Sequence, residues 1–200
     1  MEEVEILSFN NILEKKSKVI EIRDVEDLKQ LEGLDINVDT ICFTGNRPAR
    51  LPWKNNEDCS LCVDFKQRLN KLLEVFIEKG AKRFIIGGAL GFDTIAGEAV
   101  LAFRDNLRYK ITLELAIPCL DQTSKWKQED IERYNEIKMR VDKVTYVSDK
   151  PYSPECYAVR NKYMVDNSDV VVACMFAKRG GTMQTFNYAT KTDKNIIIIN

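Results

Sequence analysis

Short apolar runs alternate with longer segments whose apolar residues recur at helical spacing. The run at residues 196–199 contains no polar position, which is typical of a strand buried on both faces. Residues 60–79 instead carry apolar side chains three and four positions apart, from Phe65 to Ile77. That spacing predicts an amphipathic helix, and Gly80 ends it.

The same pattern continues along the chain and predicts an alternation of strands and helices. We predict strands at residues 19–22, 41–44, 83–86, 111–117, 144–147, 170–174 and 196–199. We predict helices at residues 24–31, 60–79, 93 onward, 124–140, 157–166 and 183–191. Strands separated by helices indicate right-handed crossovers. The predicted fold is therefore a three-layer, Rossmann-like α/β domain, in which a parallel sheet has helices on both faces.

The first part of the chain differs from the rest. Residues 1–38 contain a short strand pattern and a helix that Asp24 can cap, but no glycine turn of the phosphate-binding type. We interpret this segment as an N-terminal extension packed on the main domain. Residues 39–200 form the predicted ligand-binding domain.

Composition narrows the classes of partner. The chain has 200 residues, 44% of them hydrophobic, and a formal net charge of −1. No global basic field therefore favours nucleic acid or an anionic membrane, and we expect neither as a partner, although net charge leaves a local basic cleft open. No apolar run is long enough to span a bilayer, and the acidic start is no signal peptide. We therefore expect a cytoplasmic protein.

Histidine is absent and cysteine is moderately frequent. The absence of histidine excludes Ser-His-Asp and Cys-His catalysis. Cys59 and Cys62 have CxxC spacing, but without a second pair this is a weak match to a metal or redox motif. We predict neither a metal nor a cofactor.

Three glycine-containing turns follow predicted strands and are the most informative feature of the chain. They occupy residues 44–48, 87–93 and 180–185. Such turns bring backbone N–H groups and helix N-termini to one point, which is a ready-made anion site. Because the carboxyl ends of parallel strands meet at one edge, we expect a nucleotide-like ligand across that edge.

Several polar residues of these turns have two interpretations. Asp93 either caps a helix or accepts a hydrogen bond from a ribose hydroxyl, and its turn is not the dinucleotide motif GxGxxG. Arg47 either binds a phosphate or carboxylate, or pairs on the surface with Glu57 or Asp58. Lys178 and Arg179 add positive charge before the third turn.

Residues outside the turns complete the candidate site. Trp126 either stacks on a base or packs in the core with Ile131 and Tyr134. The candidate ligand-binding residues are Thr44, Gly45, Asn46, Arg47, Pro48, Gly87, Gly88, Ala89, Gly91, Asp93, Gln122, Trp126, Arg160, Asn161, Gly180, Gly181, Thr182 and Gln184.

These motifs resemble the SLOG superfamily, which includes the DNA-processing protein DprA/Smf and the LOG cytokinin-activating proteins. Residues 44–48 are similar to the TGxRP motif of its YpsA-like branch, and residues 87–93 to the GGAxGxD segment shared with DprA. Residues 118–134, 160–161, 169–173 and 180–182 match further motifs in order. The resemblance covers residues 40–200. It implies a Rossmann-like fold that binds nucleotides or nucleotide-derived ligands, and it favours a homo-oligomer.

One departure from the LOG pattern bears on catalysis. The LOG motif PGGxGTxxE ends in a catalytic glutamate, whereas Thr185 stands nearest to that position here. Threonine cannot act as a carboxylate base. We therefore expect a protein that senses or sequesters a nucleotide-derived signal, of the ADP-ribose, NAD or cyclic nucleotide type. The alternatives are a nucleotide N-glycosidase with Asp93 as its acid, and a DprA-like module that binds single-stranded DNA.

Overall fold

The computed structural model describes residues 18–32, 38–106, 108–177 and 179–200. Within these residues a seven-stranded sheet is formed, and every adjacent pair of strands is parallel. The strands are β1 Val19–Ile22, β2 Thr40–Gly45, β3 Arg83–Ile86, β4 Thr112–Ile117, β5 Lys143–Tyr146, β6 Val170–Cys174 and β7 Asn195–Ile199. Their order across the sheet is β1-β7-β6-β2-β3-β4-β5.

Helices cover both faces of this sheet. They are α1 Lys29–Glu32, α2 Ser60–Glu78, α3 Phe92–Asp105, α4 Gln128–Arg140, α5 Cys156–Asp166 and α6 Gly181–Lys191. Phe65, Ile95 and Tyr134 bring α2, α3 and α4 into the larger core cluster. Met164 and Ala189 bring α5 and α6 into the cluster on the other face. The predicted three-layer α/β fold is confirmed.

Strand β2 is the centre of the core because its side chains alternate between the two clusters. Phe43 joins the larger cluster, whereas its neighbour Cys42 joins the smaller one. The ring of Phe43 lies 6.1 Å from that of Phe84 and 6.0 Å from that of Phe92. Strand β6 is buried at every position, as expected of a strand covered on both faces.

The direction in which strands are added reverses at β2. From β2 the chain proceeds outward through β3, β4 and β5, whereas β6 lies on the opposite side of β2 and is followed outward by β7. The loops that leave β2 and β6 therefore diverge at the carboxyl edge. Such a switch point is where open α/β sheets form a ligand crevice.

Helix α4 begins later than the sequence predicted. We expected a helix from residue 124, but α4 begins at Gln128, and Lys127 before it is extended with ψ 155°. Trp126 therefore lies in the turn before the helix, where its backbone N–H bonds to the carbonyl oxygen of Thr123 at 3.0 Å. The sequence predicted an earlier start because Trp126, Ile131 and Tyr134 have the spacing of residues on one helix face.

The first strand belongs to the same sheet as the rest. β1 pairs in parallel with β7, from Val19 opposite Ile196 to Ile22 opposite Ile199. Asp24 then accepts hydrogen bonds from backbone N–H groups two and three residues on, at 2.8 and 3.2 Å, and a 3₁₀ turn leads into α1. Residues 1–17 and 33–37 of the predicted extension lie outside the described residues. In the described part of the chain, no helix combines the length and hydropathy of a membrane span.

Candidate ligand site at the carboxyl edge

A cavity of about 450 Å³ opens at the switch point between the ends of β2 and β6. It brings together residues from all three glycine turns and from α5. The predicted candidates that line it are Thr44, Gly45, Asn46, Arg47, Ala89, Asp93, Arg160, Asn161, Gly180, Gly181 and Thr182. Phe43, Ala49, Arg50 and Tyr157 also line it, and sequence reasoning missed them.

Asn46 holds the three turns together. Its carbonyl oxygen accepts a hydrogen bond from the N–H of Phe92 at 3.3 Å, which ties the first turn to the start of α3. Its side-chain oxygen accepts from the N–H of Ala177 at 3.0 Å, and its amide nitrogen donates to Thr182 Oγ1 at 3.4 Å. Asn46 is 2% exposed, so these contacts form the floor of the site.

Asp93 and Arg160 form a buried ion pair in the wall of the cavity. Asp93 Oδ2 accepts hydrogen bonds from the backbone N–H groups of Gly87 at 3.1 Å and Ala89 at 3.4 Å. The distance from Arg160 Nη1 to that oxygen is 3.7 Å, which is beyond hydrogen-bond range. Burial raises the pKa of the Asp93 carboxyl, and Arg160 and the two N–H groups oppose that rise.

Arg160 has hydrogen-bonding capacity that its surroundings leave unused. The side chain is 4% exposed, and its Nε and Nη1 atoms have no hydrogen-bond partner among the described residues. Burial lowers the pKa of the guanidinium, whereas Asp93 raises it. The site therefore holds a cation whose donors are incompletely satisfied.

Gly87 provides the space that Arg160 occupies. A Cβ atom on Gly87 would lie 1.1 Å from Arg160 Nη1. Any larger residue at this position would displace the guanidinium. The second turn thus requires glycine here for close approach of a side chain to the backbone.

The third turn directs the N-terminus of α6 at the cavity. Gly180 has φ +90°, a left-handed conformation that suits glycine, and Arg50 Nη1 fixes the turn by donating to the carbonyl oxygen of Arg179 at 2.8 Å. No described side chain caps α6, and its first turn contains no acidic residue. A Cβ atom on Gly181 would have no neighbour within 4 Å. The free N–H groups of this helix start are suited to an anion.

A second cavity of about 630 Å³ neighbours the first. Arg47 and Tyr157 line both, and the Arg47 guanidinium lies 5.5 Å from the centre of the Tyr157 ring. Gln122 and Trp126, the remaining candidates from the turn before α4, line this second cavity. The pairing of Arg47 with Glu57 is not formed, because Glu57 binds Arg133 and Lys66 instead.

The other candidates lie beside the cavities rather than along them. Pro48 starts a 3₁₀ turn, and Gly88 and Gly91 have φ of +61° and +93°, so these residues shape the turns. Gln184 is exposed on α6 and lines a separate small cavity between α5 and α6. Lys178, which we expected to add positive charge, lies outside the described residues.

The CxxC pair lies at the start of α2. Cys59 is the N-cap residue, and Cys62 is buried in the core. Burial raises the pKa of the Cys62 thiol, which disfavours the reactive thiolate. The described residues contain no group of three or more His, Cys, Asp or Glu side chains suited to a metal.

Comparison with known proteins identifies the family. The sequence model of the YspA SLOG family (YpsA) matches residues 41–197. The chain belongs to this family. A UPF0398 protein of Bacillus cereus (strain G9842) is 32% identical over 146 residues, which cover 71% of this chain and 77% of the relative. A UPF0398 protein of Bacillus thuringiensis (strain Al Hakam) is 31% identical over 155 residues, which cover 76% and 82%.

Solved structures of DNA processing protein A (DprA) share the fold of this SLOG protein. The Helicobacter pylori protein, whose structure describes a unique single-stranded DNA binding mode, superposes with a TM-score of 0.54 at 23% identity. That alignment covers 82% of this chain and 66% of the other. The Streptococcus pneumoniae protein superposes with a TM-score of 0.53 at 16% identity, and the alignment covers 80% of this chain and 50% of that protein. The chain thus spans about two thirds and half of these structures.

Proposed function

We propose that this protein binds a nucleotide-derived small molecule through its phosphate in the first cavity, as a sensor or sequestering protein. One observation carries the proposal. Arg160 is a buried cation on the cavity wall with two nitrogens that have no hydrogen-bond partner among the described residues. Leaving a buried polar group unsatisfied costs about 1–3 kcal/mol, and more for a charged one. An anionic ligand at this wall stabilises the buried charge of the guanidinium.

The surroundings of Arg160 favour phosphate over a neutral ligand. The N-terminus of α6 presents free N–H groups to the same cavity, and a helix start carries a partial positive charge. Arg47 and Arg50 line the cavity as well. Asp93 supplies one negative charge, so positive charge predominates among these residues.

The contacts of Asp93, the candidate acid, and of Thr185, at the position nearest the LOG glutamate, favour binding over hydrolysis. Asp93 Oδ2 already accepts two backbone hydrogen bonds that hold the second turn. Thr185, at the position nearest the LOG glutamate, is buried and donates to the carbonyl oxygen of Gly181 at 3.0 Å. Asp93 is therefore better explained as the support of the turn and of Arg160 than as a catalytic acid.

Substitution of the two arginines tests the proposal. Titration calorimetry with ADP and ADP-ribose is expected to show at least a tenfold loss of affinity in Arg47→Ala, since a hydrogen bond to a charged group contributes ~1.5–3 kcal/mol. We expect a larger loss in Arg160→Lys, because lysine has one charged nitrogen in place of a planar fork. Arg108→Lys, an exposed arginine that stacks on Tyr109, is the matched control. Unchanged affinity in both site variants refutes the proposal.

A second candidate is single-stranded DNA binding. The DprA structure from H. pylori describes that activity for its own protein, and this chain has its fold. Exposed basic residues around the two cavities also weaken the argument from net charge; they are Arg47, Arg50, Lys125, Lys127 and Arg179. This candidate predicts salt-dependent binding of a fluorescent oligothymidylate. Absence of binding at low salt excludes it.

A further inference from the structure

The second cavity has aromatic and hydrogen-bonding features of its own. Trp126 is half-buried there, with its ring 5.5 Å from that of Tyr134 in an edge-on arrangement. Tyr152 is 57% exposed on the same wall, and its ring lies 6.2 Å from that of Tyr157. Flat aromatic surfaces on a cavity wall suit the face of a planar ring. We call this space, lined by Gln122, Trp126, Tyr152 and Tyr157, the aromatic cavity.

Gln122, which lines the aromatic cavity, carries an unpaired acceptor. Its amide nitrogen donates to the carbonyl oxygens of Gly87 at 3.3 Å and Gly88 at 2.9 Å. These two bonds fix the orientation of the amide. Its oxygen is buried and has no hydrogen-bond partner among the described residues, and the side chain is 6% exposed. A buried acceptor of this kind requires an N–H or O–H donor.

The two cavities are connected by shared residues. Arg47 and Tyr157 line both, and Gln122 contacts the turn on which Asp93 rests. Volumes of about 450 and 630 Å³ each fall within the range typical of one small-molecule pocket. One compact phosphate ester would therefore leave one cavity empty.

We propose that a single extended ligand occupies both cavities, with its phosphate in the first and an aromatic base in the aromatic cavity. The base stacks on Trp126 and donates an N–H to Gln122 Oε1. Arg47 lies between the two ends and contacts the linking part of the ligand. The inference rests on the proposed function and narrows it to nucleotides whose base carries an N–H donor, as opposed to sugar phosphates.

Fragments of such a ligand provide the test. Calorimetry with the full chain compares ADP, which has both parts, with ribose 5-phosphate, which lacks the base and one phosphate, so the aromatic variants below isolate the contribution of the base. The proposal predicts that ADP binds at least tenfold more tightly. Trp126→Ala is expected to reduce ADP affinity about tenfold, in the range for loss of one base stack, and to leave the affinity for ribose 5-phosphate unchanged.

A second variant covers the case in which Trp126→Ala fails to fold. Tyr152→Ala removes an exposed ring from the same cavity and is expected to weaken ADP binding severalfold without affecting ribose 5-phosphate. Tyr188→Ala, a tyrosine near the far end of α6 that bonds Asp166, is the matched control and should leave both affinities unchanged.

The outcomes separate this inference from the proposed function. Equal affinities for ADP and ribose 5-phosphate, both unaffected by Trp126→Ala or Tyr152→Ala, overturn the extended ligand and leave phosphate binding in the first cavity intact. Failure of both compounds to bind overturns this inference, and it overturns the proposed function as well if the protein retains no nucleoside monophosphate, ADP-ribose, NAD or cyclic dinucleotide. Weaker ADP binding in the aromatic variants, with ribose 5-phosphate unchanged, supports the inference.

Discussion

The contact between Arg160 and the second turn is possible only because Gly87 has no side chain. Arg160 lies against Gly87 so closely that a Cβ atom there would overlap the guanidinium. The same arginine faces Asp93, which holds the N–H of Gly87. Gly87, Asp93 and Arg160 therefore form one structural unit, and a substitution at any of them is expected to shift the other two.

A pair of glycine substitutions tests this unit. Gly87→Ala is expected to displace Arg160, to lower the free energy of unfolding by about 1–3 kcal/mol through overpacking, and to reduce ADP affinity at least tenfold. Gly181→Ala is the control, because its new methyl group meets nothing within 4 Å. Its stability should be unchanged or higher by up to about 1 kcal/mol. Urea unfolding measures the stability of both variants. Equal free energies of unfolding for Gly87→Ala and Gly181→Ala would contradict the position of Arg160.

Residues of the site differ in how far the sequence reveals them. Glycines that follow an apolar run carry a local signal, because a strand that ends in a flexible turn is visible in the order of residues. Tyr157 and Arg50 carry no such local signal in the sequence. Each is an ordinary residue of a helix or turn, and only the packing of α5 and the third turn against β2 brings them to the cavity.

At the scale of elements, a partly buried carboxylate links β4 to α5 and to β5. Glu114 accepts hydrogen bonds from Tyr163 on α5 at 2.6 Å and from Thr145 on β5 at 2.7 Å. Lys143 donates a third at 3.1 Å. Burial alone would raise the pKa of Glu114, but these three donors outweigh it, and the pKa is lowered.

This cluster predicts a dependence of stability on pH. A carboxyl whose pKa is lowered by folding contributes stability above its unfolded pKa of about 4.3, and that contribution disappears as pH falls through the folded pKa. Glu114→Gln is therefore expected to lower the free energy of unfolding at pH 7 by about 1–3 kcal/mol. The difference from wild type should shrink below about pH 4.

Urea unfolding at neutral and acidic pH makes this measurement. Glu129→Gln serves as the control, since that side chain is 75% exposed and pairs with the exposed Lys127. A wild-type advantage over Glu114→Gln that stays constant from pH 7 to pH 3 would contradict the assigned role of the carboxylate.

Most elements follow from periodicity, and the error at α4 shows its limit. Buried parallel strands such as β6 are continuous apolar runs, so their position is visible without a partner. The start of α4 cannot be located in this way, because Trp126 continues the apolar spacing of the helix while its backbone forms a turn. Periodicity detects a buried face, but the backbone conformation at an element's end depends on local hydrogen bonds.

At the scale of the whole molecule, the position of the site follows from strand order. The alternation of strands and helices predicts a parallel sheet, but it does not determine that β6 lies beside β2 or that β1 lies beside β7. Those neighbours are separated by more than a hundred residues. The sequence thus predicts the turns whose residues line the cavity, whereas the switch point that brings them together requires the structure or a family resemblance.

The central claim is that the first cavity retains an intact, phosphate-bearing, nucleotide-derived ligand. The most direct measurement is mass spectrometry of a panel containing nucleoside monophosphates, ADP-ribose, NAD and cyclic dinucleotides after incubation with the purified protein. Both retained and converted compounds are recorded, with Arg160→Lys as the comparison. Our account predicts retention of at least one unmodified compound by wild type and its loss in Arg160→Lys. Release of free base, or retention of no compound at all, would contradict it.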